Sequence, residues 1–400
     1  METASADEAS PIDLIAHPHP DIELGVKRSA LAYAASVPRA GIDAETGLVI
    51  YLGGYGMSAQ SDYAKGLLRY LADRYNCVAA APDYFGARLM MSDLSKQIVP
   101  HPDFFKKLAE HYGLSITVPK GTNMAQILSG ATTLLAQSGI QSLPNDCILF
   151  NNSDEYNSMG FLPALDGLQL VHALVTTRSL NKKRIFLLGT SYGGYIAGMM
   201  AKLAPRSFRM IVDNSGFSSA EDDKPGVAGW QKLFVNGVAM LCQSVKSWSF
   251  DPRAANFFSE ARGAIRDLAR PEHVHRNTAR IYAYHAATDT IAPTERKLRL
   301  REVYSGRVPY ELTIIGEDAL DGRIFKTPAH GMDASMRGIF DLSYDKFLCD
   351  GGALSDTTDF DEESQHVFAC GTEDYALTFS RAHGVRAQLR AAQPTRCAAS

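Results

Sequence analysis

Six short, almost wholly apolar runs, each followed or preceded by a segment with helical spacing, constrain this chain more tightly than any other feature. The runs are residues 47–53, 77–84, 184–189, 208–213, 280–285 and 310–315. The helix-patterned segments are 62–75, 162–176, 192–203, 293–303 and 333–347, and in the first of them Leu67, Leu68 and Leu71 share one face. A strand with no polar side is buried on both faces, which happens when crossover helices cover a parallel sheet. Short right-handed connections then give an α/β class with a mostly parallel central sheet flanked by helices. Residues 22–37 alternate loosely between polar and apolar and predict one or two short antiparallel strands at a sheet edge.

Two intervals, 88–157 and 217–275, are too long for simple connections in a compact α/β domain. Both are rich in helix formers, so both are expected to be helical cap inserts in one domain spanning residues 12–350. The second insert carries Trp230, Phe234, Leu241, Trp248 and Phe257 and is expected to form a mainly helical cap over the site described below. Residues 351–400 change character. The acidic stretch 355–364 predicts a solvated loop, 366–369 is strand-like, and the last residues of this C-terminal extension are expected to be disordered.

A chain of 400 residues with 46% hydrophobic and 21% charged residues has the balance of a folded globular protein. Its net charge of -4 and its lack of a basic stripe exclude nucleic acid as a partner. No run approaches the ~18 apolar residues of a membrane span, and the polar, acidic start lacks the pattern of a signal peptide. The expected location is therefore the cytoplasm. The six cysteines are scattered without a CxxC pair, so neither a disulfide framework nor a metal site is expected, and nothing in the chain asks for a cofactor. Oligomeric state is not written in the sequence.

The motif that carries chemistry is Gly189-Thr-Ser191-Tyr-Gly193, a G-x-S-x-G placed between an apolar run and an Ala/Met-rich helical segment. At such a strand-to-helix turn the serine is held in a strained conformation and its neighbours must be small. The helix that follows aims its first N–H groups at the reacting centre. A serine needs a base to remove its proton and a carboxylate to orient that base. In the chain order Ser, acid, His, the acid is Asp289, just past the run ending at His285, and the base is His330, in Pro328-Ala-His330-Gly-Met. Asp213 and His383 are the rivals for these two roles. His285 is read as a strand-end histidine that packs or hydrogen-bonds near the acid loop, and His172 as structural.

Two backbone N–H groups are needed to hold the developing oxyanion. One is that of Tyr192, directly after the serine. The other is expected from the turn Gly53-Gly54-Tyr55-Gly56, with Tyr55 the first choice and Gly54 the second. That turn lacks the G-x-G-x-x-G spacing and the lysine of phosphate-binding loops.

With these residues in place the chain resembles the α/β-hydrolase superfamily over about residues 22–347. A closer likeness is to a family of hydrolase-like proteins encoded with flagellin-glycosylation genes. It rests on Asp83-Tyr-Phe-Gly86, Asp154-Glu-Tyr-Asn-Ser-Met-Gly160, Gly189-Thr-Ser-Tyr-Gly-Gly-Tyr195, Val212-Asp-Asn-Ser215, Tyr284-His285 through Pro293, and Ala329-His-Gly-Met332. The resemblance implies a serine hydrolase or esterase with the triad Ser191, Asp289 and His330, and a small acyl ester or acylated sugar as substrate. An acyltransferase or deacylase acting on a sugar or surface glycan, and a non-catalytic binding protein of the same fold, are the alternatives. The Ser-Tyr-Gly-Gly-Tyr segment also resembles prolyl-oligopeptidase-like peptidases, but only about forty residues precede the first central run, too few for the large N-terminal domain those peptidases carry.

Overall fold

A computed structural model describes residues 13–15, 18–90, 98–114 and 123–392. The chain divides into two compact units, one formed by residues 1–84, 160–222 and 260–400 and the other by 85–159 and 223–259.

The first unit is built on the strands β1 Asp13–Ile15, β2 Leu31–Ser36, β3 Gly47–Leu52, β4 Cys77–Pro82, β5 Ile185–Thr190, β6 Met210–Asn214, β7 Arg280–Ala286 and β8 Tyr310–Ile315. They lie side by side in the order β1-β2-β4-β3-β5-β6-β7-β8. Every neighbouring pair from β4 to β8 is parallel, whereas β2 runs against both β4 and β1. This mostly parallel, mixed-edge sheet with helical crossovers is the α/β-hydrolase fold. Residues 22–37 supply a single strand, β2, near the expected edge.

Every residue of β3 and β4 is buried, as their unbroken apolar runs require. On one face Leu67, Leu68 and Leu71 of the helix Asp62–Tyr75 join Ile339, Phe340 and Phe347 of the helix Met336–Cys349 in a core with Val49, Phe186 and Val212. Each of the three leucines is at most 1% exposed, so each contributes about 1.5–3 kcal/mol relative to an exposed position. The helix Asp62–Tyr75 starts where Ser61 Oγ accepts the Ala64 N–H at 3.2 Å, and it stops where Asn76 turns left-handed at φ 46°. Helices Phe161–Arg178 and Tyr192–Leu203 pack on each other and on β3.

The C-terminal extension is part of this first unit. Its described residues form an antiparallel sheet of Ser364–Ala369, Glu373–Ser380 and Gly384–Ala391. The sheet is tied to the N-terminal segment by a fully buried network in which Arg266 pairs with Glu23 at 2.5 Å and Tyr375 Oη donates to Glu23 Oε1 at 2.5 Å. The residues at the extreme C-terminus for which disorder is expected lie outside the described ones.

The second unit shows why two inserts are present. Ile98–Pro100 and Ile148–Asn151 come from the first, Trp230–Val235 and Val238–Ser244 from the second, and the four strands make one sheet. The junction is parallel, with Leu241 opposite Ile148 and Gln243 opposite Phe150. Helices Phe104–Tyr112 and Met124–Gln137 complete the unit's core through Leu108, Leu128 and Leu135. Among its described residues the first insert thus carries the helices Phe104–Tyr112 and Met124–Gln137 beside its two strands. The second, expected to be mainly helical, instead centres on a hairpin. Residues 238–244 alternate strictly between buried and half-buried, and Asn236 and Gly237 both take positive φ, 51° and 81°. That is the two-residue turn whose twist matches paired strands. Among the described residues no helix is long and apolar enough to cross a membrane.

Candidate active site

Strand β5 ends at Thr190 and the helix Tyr192–Leu203 begins two residues later, with Ser191 at φ 53°, ψ -122° between them. A non-glycine residue in this region is strained, and its surroundings hold it there. Ser191 N–H donates to the Asn214 carbonyl at 2.7 Å, and its own carbonyl accepts the Tyr195 N–H at 3.2 Å. The glycines around it have no room for side chains. A Cβ on Gly189 would stand 2.4 Å from the Gly193 carbonyl oxygen, and one on Gly194 would stand 2.3 Å from Asp213 Oδ1.

Ser191 Oγ lies 2.7 Å from His330 Nε2, and His330 Nδ1 lies 2.7 Å from Asp289 Oδ2. The three residues that sequence order selected are therefore brought together in one line. His330 enters from the loop after β8, where Gly331 and Met332 take φ 75° and 57°. That loop is pinned to the end of β6, because Asn214 Nδ2 donates to the Gly331 carbonyl at 3.2 Å and the Gly331 N–H donates to Ser215 Oγ at 3.2 Å. The Val212-Asp-Asn-Ser215 segment thus has a role that its sequence did not reveal.

Asp289 is buried at the head of the turn after β7. Its Oδ1 accepts the N–H groups of Ile291 and Ala292, both at 2.9 Å. Burial alone would raise the carboxyl pKa, but the hydrogen bonds from His330, Ala292 and Ile291 outweigh it and hold the value below the ordinary one. The group stays ionised.

The rivals are engaged elsewhere. Asp213 Oδ2 pairs with the buried Lys297 ammonium at 2.5 Å and Oδ1 accepts the Gly216 N–H at 2.8 Å. His383 lies in the exposed turn between two strands of the C-terminal sheet, where its N–H donates to Ser380 Oγ. His172 Nε2 is 2.8 Å from the Arg381 carbonyl oxygen, which ties a helix to that same turn.

The glycine turn after β3 lies against the elbow: a Cβ on Gly54 would be 3.3 Å from the Thr190 carbonyl oxygen and 3.4 Å from Ser191 Cβ. Tyr84 Oη donates to the Gly53 carbonyl at 2.8 Å and so anchors the turn. The Tyr55 ring stacks on the Tyr192 ring at 4.4 Å and 13°, and Phe217 stands edge-on to Tyr55 and 6.3 Å from the His330 ring. The glycine-turn motif points to the backbone of Tyr55 but does not reveal this aromatic wall. Nothing in the spacing of Tyr55, Tyr192 and Phe217 signals that their rings meet.

Among the described residues one trio, His111, Asp146 and Cys147 of the second unit, has ligand atoms within 4.8 Å of one another. Asp146 there is already paired with Lys107 at 3.3 Å, and burial pushes the Cys147 thiol up to about 11.

A family model described as "Protein of unknown function (DUF2920)" matches residues 15–382. No curated protein matches the chain in sequence. Among solved structures, the chain is similar to ferulic acid-bound Est1E from Butyrivibrio proteoclasticus, with 10% identity and a TM-score of 0.44 over 83% of this chain and 98% of that one. It is similar to Thermogutta terrifontis esterase 2 phosphonylated by cyclosarin, with 11% identity and a TM-score of 0.45 over 88% and 100%. A third likeness is to an S-formylglutathione hydrolase from Agrobacterium tumefaciens, with 15% identity and a TM-score of 0.41 over 84% and 92%. Likenesses this loose say nothing about substrate or reaction.

Proposed function

We propose that this chain, which belongs to the family described as a protein of unknown function (DUF2920) and so inherits no activity from it, is a serine hydrolase that cleaves a carboxylic ester or related acyl bond of a small molecule or an acylated sugar. The observation that carries the reading is the unbroken line from Ser191 Oγ through His330 to the Asp289 carboxylate, 2.7 Å at each step.

Ser191 Oγ attacks the acyl carbonyl carbon while His330 Nε2 takes the hydroxyl proton. Asp289 keeps the other imidazole proton on Nδ1 and stabilises the imidazolium. The tetrahedral oxyanion is received by the N–H of Tyr192, at the start of its helix, and by the N–H of Tyr55, with Gly54 in reserve. Each such donor is worth roughly 10²–10³ in rate. Collapse expels the alcohol, which leaves with the proton from His330. Water, deprotonated by the same imidazole, then attacks the acyl-Ser191 ester and releases the acid. No metal or cofactor takes part.

The test is covalent labelling with a fluorophosphonate probe, followed by turnover of a panel of p-nitrophenyl esters of increasing acyl length. The probe is expected to attach at Ser191 in the wild type and not in Ser191→Ala. Equal labelling of the two would end the assignment.

A further inference from the structure

At the end of β7, behind the Asp289 carboxylate, stands a histidine whose environment packing does not explain. His285 is completely buried, and its Nε2 lies 2.7 Å from the Ala292 carbonyl oxygen and 3.5 Å from Asp289 Oδ2. A carbonyl oxygen only accepts, so the ring proton belongs on Nε2 and Nδ1 is a bare acceptor. Among the described residues Nδ1 is buried without a hydrogen-bond partner. A buried acceptor left without a donor is destabilising, a penalty that a phenylalanine of similar shape would not incur. Burial first, and the nearby Lys297 ammonium second, push the imidazole below its ordinary pKa, so the ring is neutral. What remains for the side chain to supply is the Nε2–H.

That N–H closes a small circuit. Ala292 donates its N–H to Asp289 Oδ1 at 2.9 Å while its carbonyl accepts from His285 at 2.7 Å. The residue is held at both of its backbone polar groups, and the turn that aims Asp289 cannot swing without breaking one of them. The same Nε2–H edge faces Oδ2, the oxygen that meets His330 Nδ1. A neutral ring placed there adds a positive edge beside the carboxylate without adding a charge that would compete with the imidazolium.

We propose that His285 is a positioning residue for the Ser191–His330–Asp289 line, acting through its Nε2–H on the Asp289–Ala292 turn. The inference rests on the acyl-Ser191 reading given above. His285 touches no reacting atom; it fixes the direction from which Asp289 meets the imidazole.

The test compares the full-length wild type with His285→Phe, which keeps the ring and loses the donor, with His285→Gln, whose amide nitrogen reaches the place of Nε2, and with His285→Asn, whose amide stops short of it. Two quantities are read: the second-order rate of fluorophosphonate labelling and the low-field proton resonance of His330 Nδ1–H. His285→Phe and His285→Asn are expected to slow labelling by roughly 10- to 100-fold, the usual cost of losing a partner that orients a reacting group, and to shift or abolish the low-field resonance. His285→Gln is expected to recover most of both. If His285→Phe does not fold, the contrast between Gln and Asn decides. Equal rates and unchanged resonances in those two, or in His285→Phe, would overturn the inference. A wild type that neither labels nor shows the resonance would instead remove the acyl-Ser191 reading beneath it.

Discussion

Gly193 sits so close to Leu52 that a methyl group on it would stand 1.9 Å from the Leu52 carbonyl oxygen. The last residue of β3 and the first turn of the helix after Ser191 are therefore in backbone contact, and this contact sets the glycine turn beside the serine. Gly193→Ala forces one of the two backbones to move. The expected result is a loss of at least about 3 kcal/mol, above the usual range for an overpacked core because backbone must yield, and near-complete loss of probe labelling. Denaturant unfolding and labelling measured together check it. A variant of wild-type stability would mean that the elbow is looser than its geometry.

Asp289→Asn and His330→Ala are expected to lower the labelling rate and the turnover of any cleaved ester by about a thousandfold or more, since such residues act as a unit. His383→Ala should leave both unchanged. Asp213→Asn separates rate from stability. It strands the buried Lys297 ammonium and should cost about 3–5 kcal/mol, yet the folded fraction should still label. A large rate loss on Asp213 with little on Asp289 would transfer the acid role to β6.

Chain order and local pattern made the candidate site legible because each element is specified by its neighbours in sequence. The runs 47–53 and 184–189 are buried on both sides, the residues flanking Ser191 are small, and Asp289 and His330 each follow a strand end. What could not be read depends on distant segments meeting. Residues 148–151 and 238–244 pair across almost a hundred positions, and no local pattern announces that two inserts share a sheet. The ring contacts of Tyr55 and the clamp of His285 on Ala292 are of the same kind. The hairpin at 230–244 is a different case, since Asn236-Gly237 between alternating runs is itself a strong local turn signal, set in a segment otherwise rich in helix formers.

Asn236 offers a direct measure of that hairpin. Its side chain donates to the Ser129 carbonyl at 2.9 Å and to Thr133 Oγ at 3.0 Å, clasping the turn to the helix Met124–Gln137. Its φ of 51° suits asparagine and glycine better than other residues. Asn236→Ala should cost roughly 1–3 kcal/mol, combining left-handed strain with lost hydrogen bonds. Asn236→Gly, which removes only the clasp, should cost less. Thermal unfolding of the two variants decides, and the reverse order would show that the turn is not held in this form.

Acid should release the C-terminal sheet before it unfolds the rest. His19 Nε2 accepts the Ala387 N–H at 2.7 Å while its Nδ1 lies 2.7 Å from the Pro20 carbonyl oxygen, so the ring that ties the last strand to the N-terminal segment must be neutral. Burial lowers its pKa from 6.5 to about 4. His273, whose Nε2 is 2.8 Å from the Ala369 carbonyl at the end of Ser364–Ala369, is lowered to about 4 by the same cause. Between pH 6.5 and 4 the unfolded chain takes up protons that the folded chain refuses, so stability falls as pH falls through this window and levels off below it. At about 1.4 kcal/mol per pKa unit, each histidine accounts for a loss on the order of 2–4 kcal/mol. The carboxylates held below their ordinary values, Asp289 and Asp359 among them, add their losses only at lower pH. Amide exchange in Gly384–Ala391 should therefore accelerate from pH 6.5 downward ahead of exchange in β3 and β5. His19→Gln, whose amide oxygen can still accept from Ala387 but does not titrate, should flatten that dependence. Equal acceleration in the variant and the wild type would show that protonation of His19 does not release the strand.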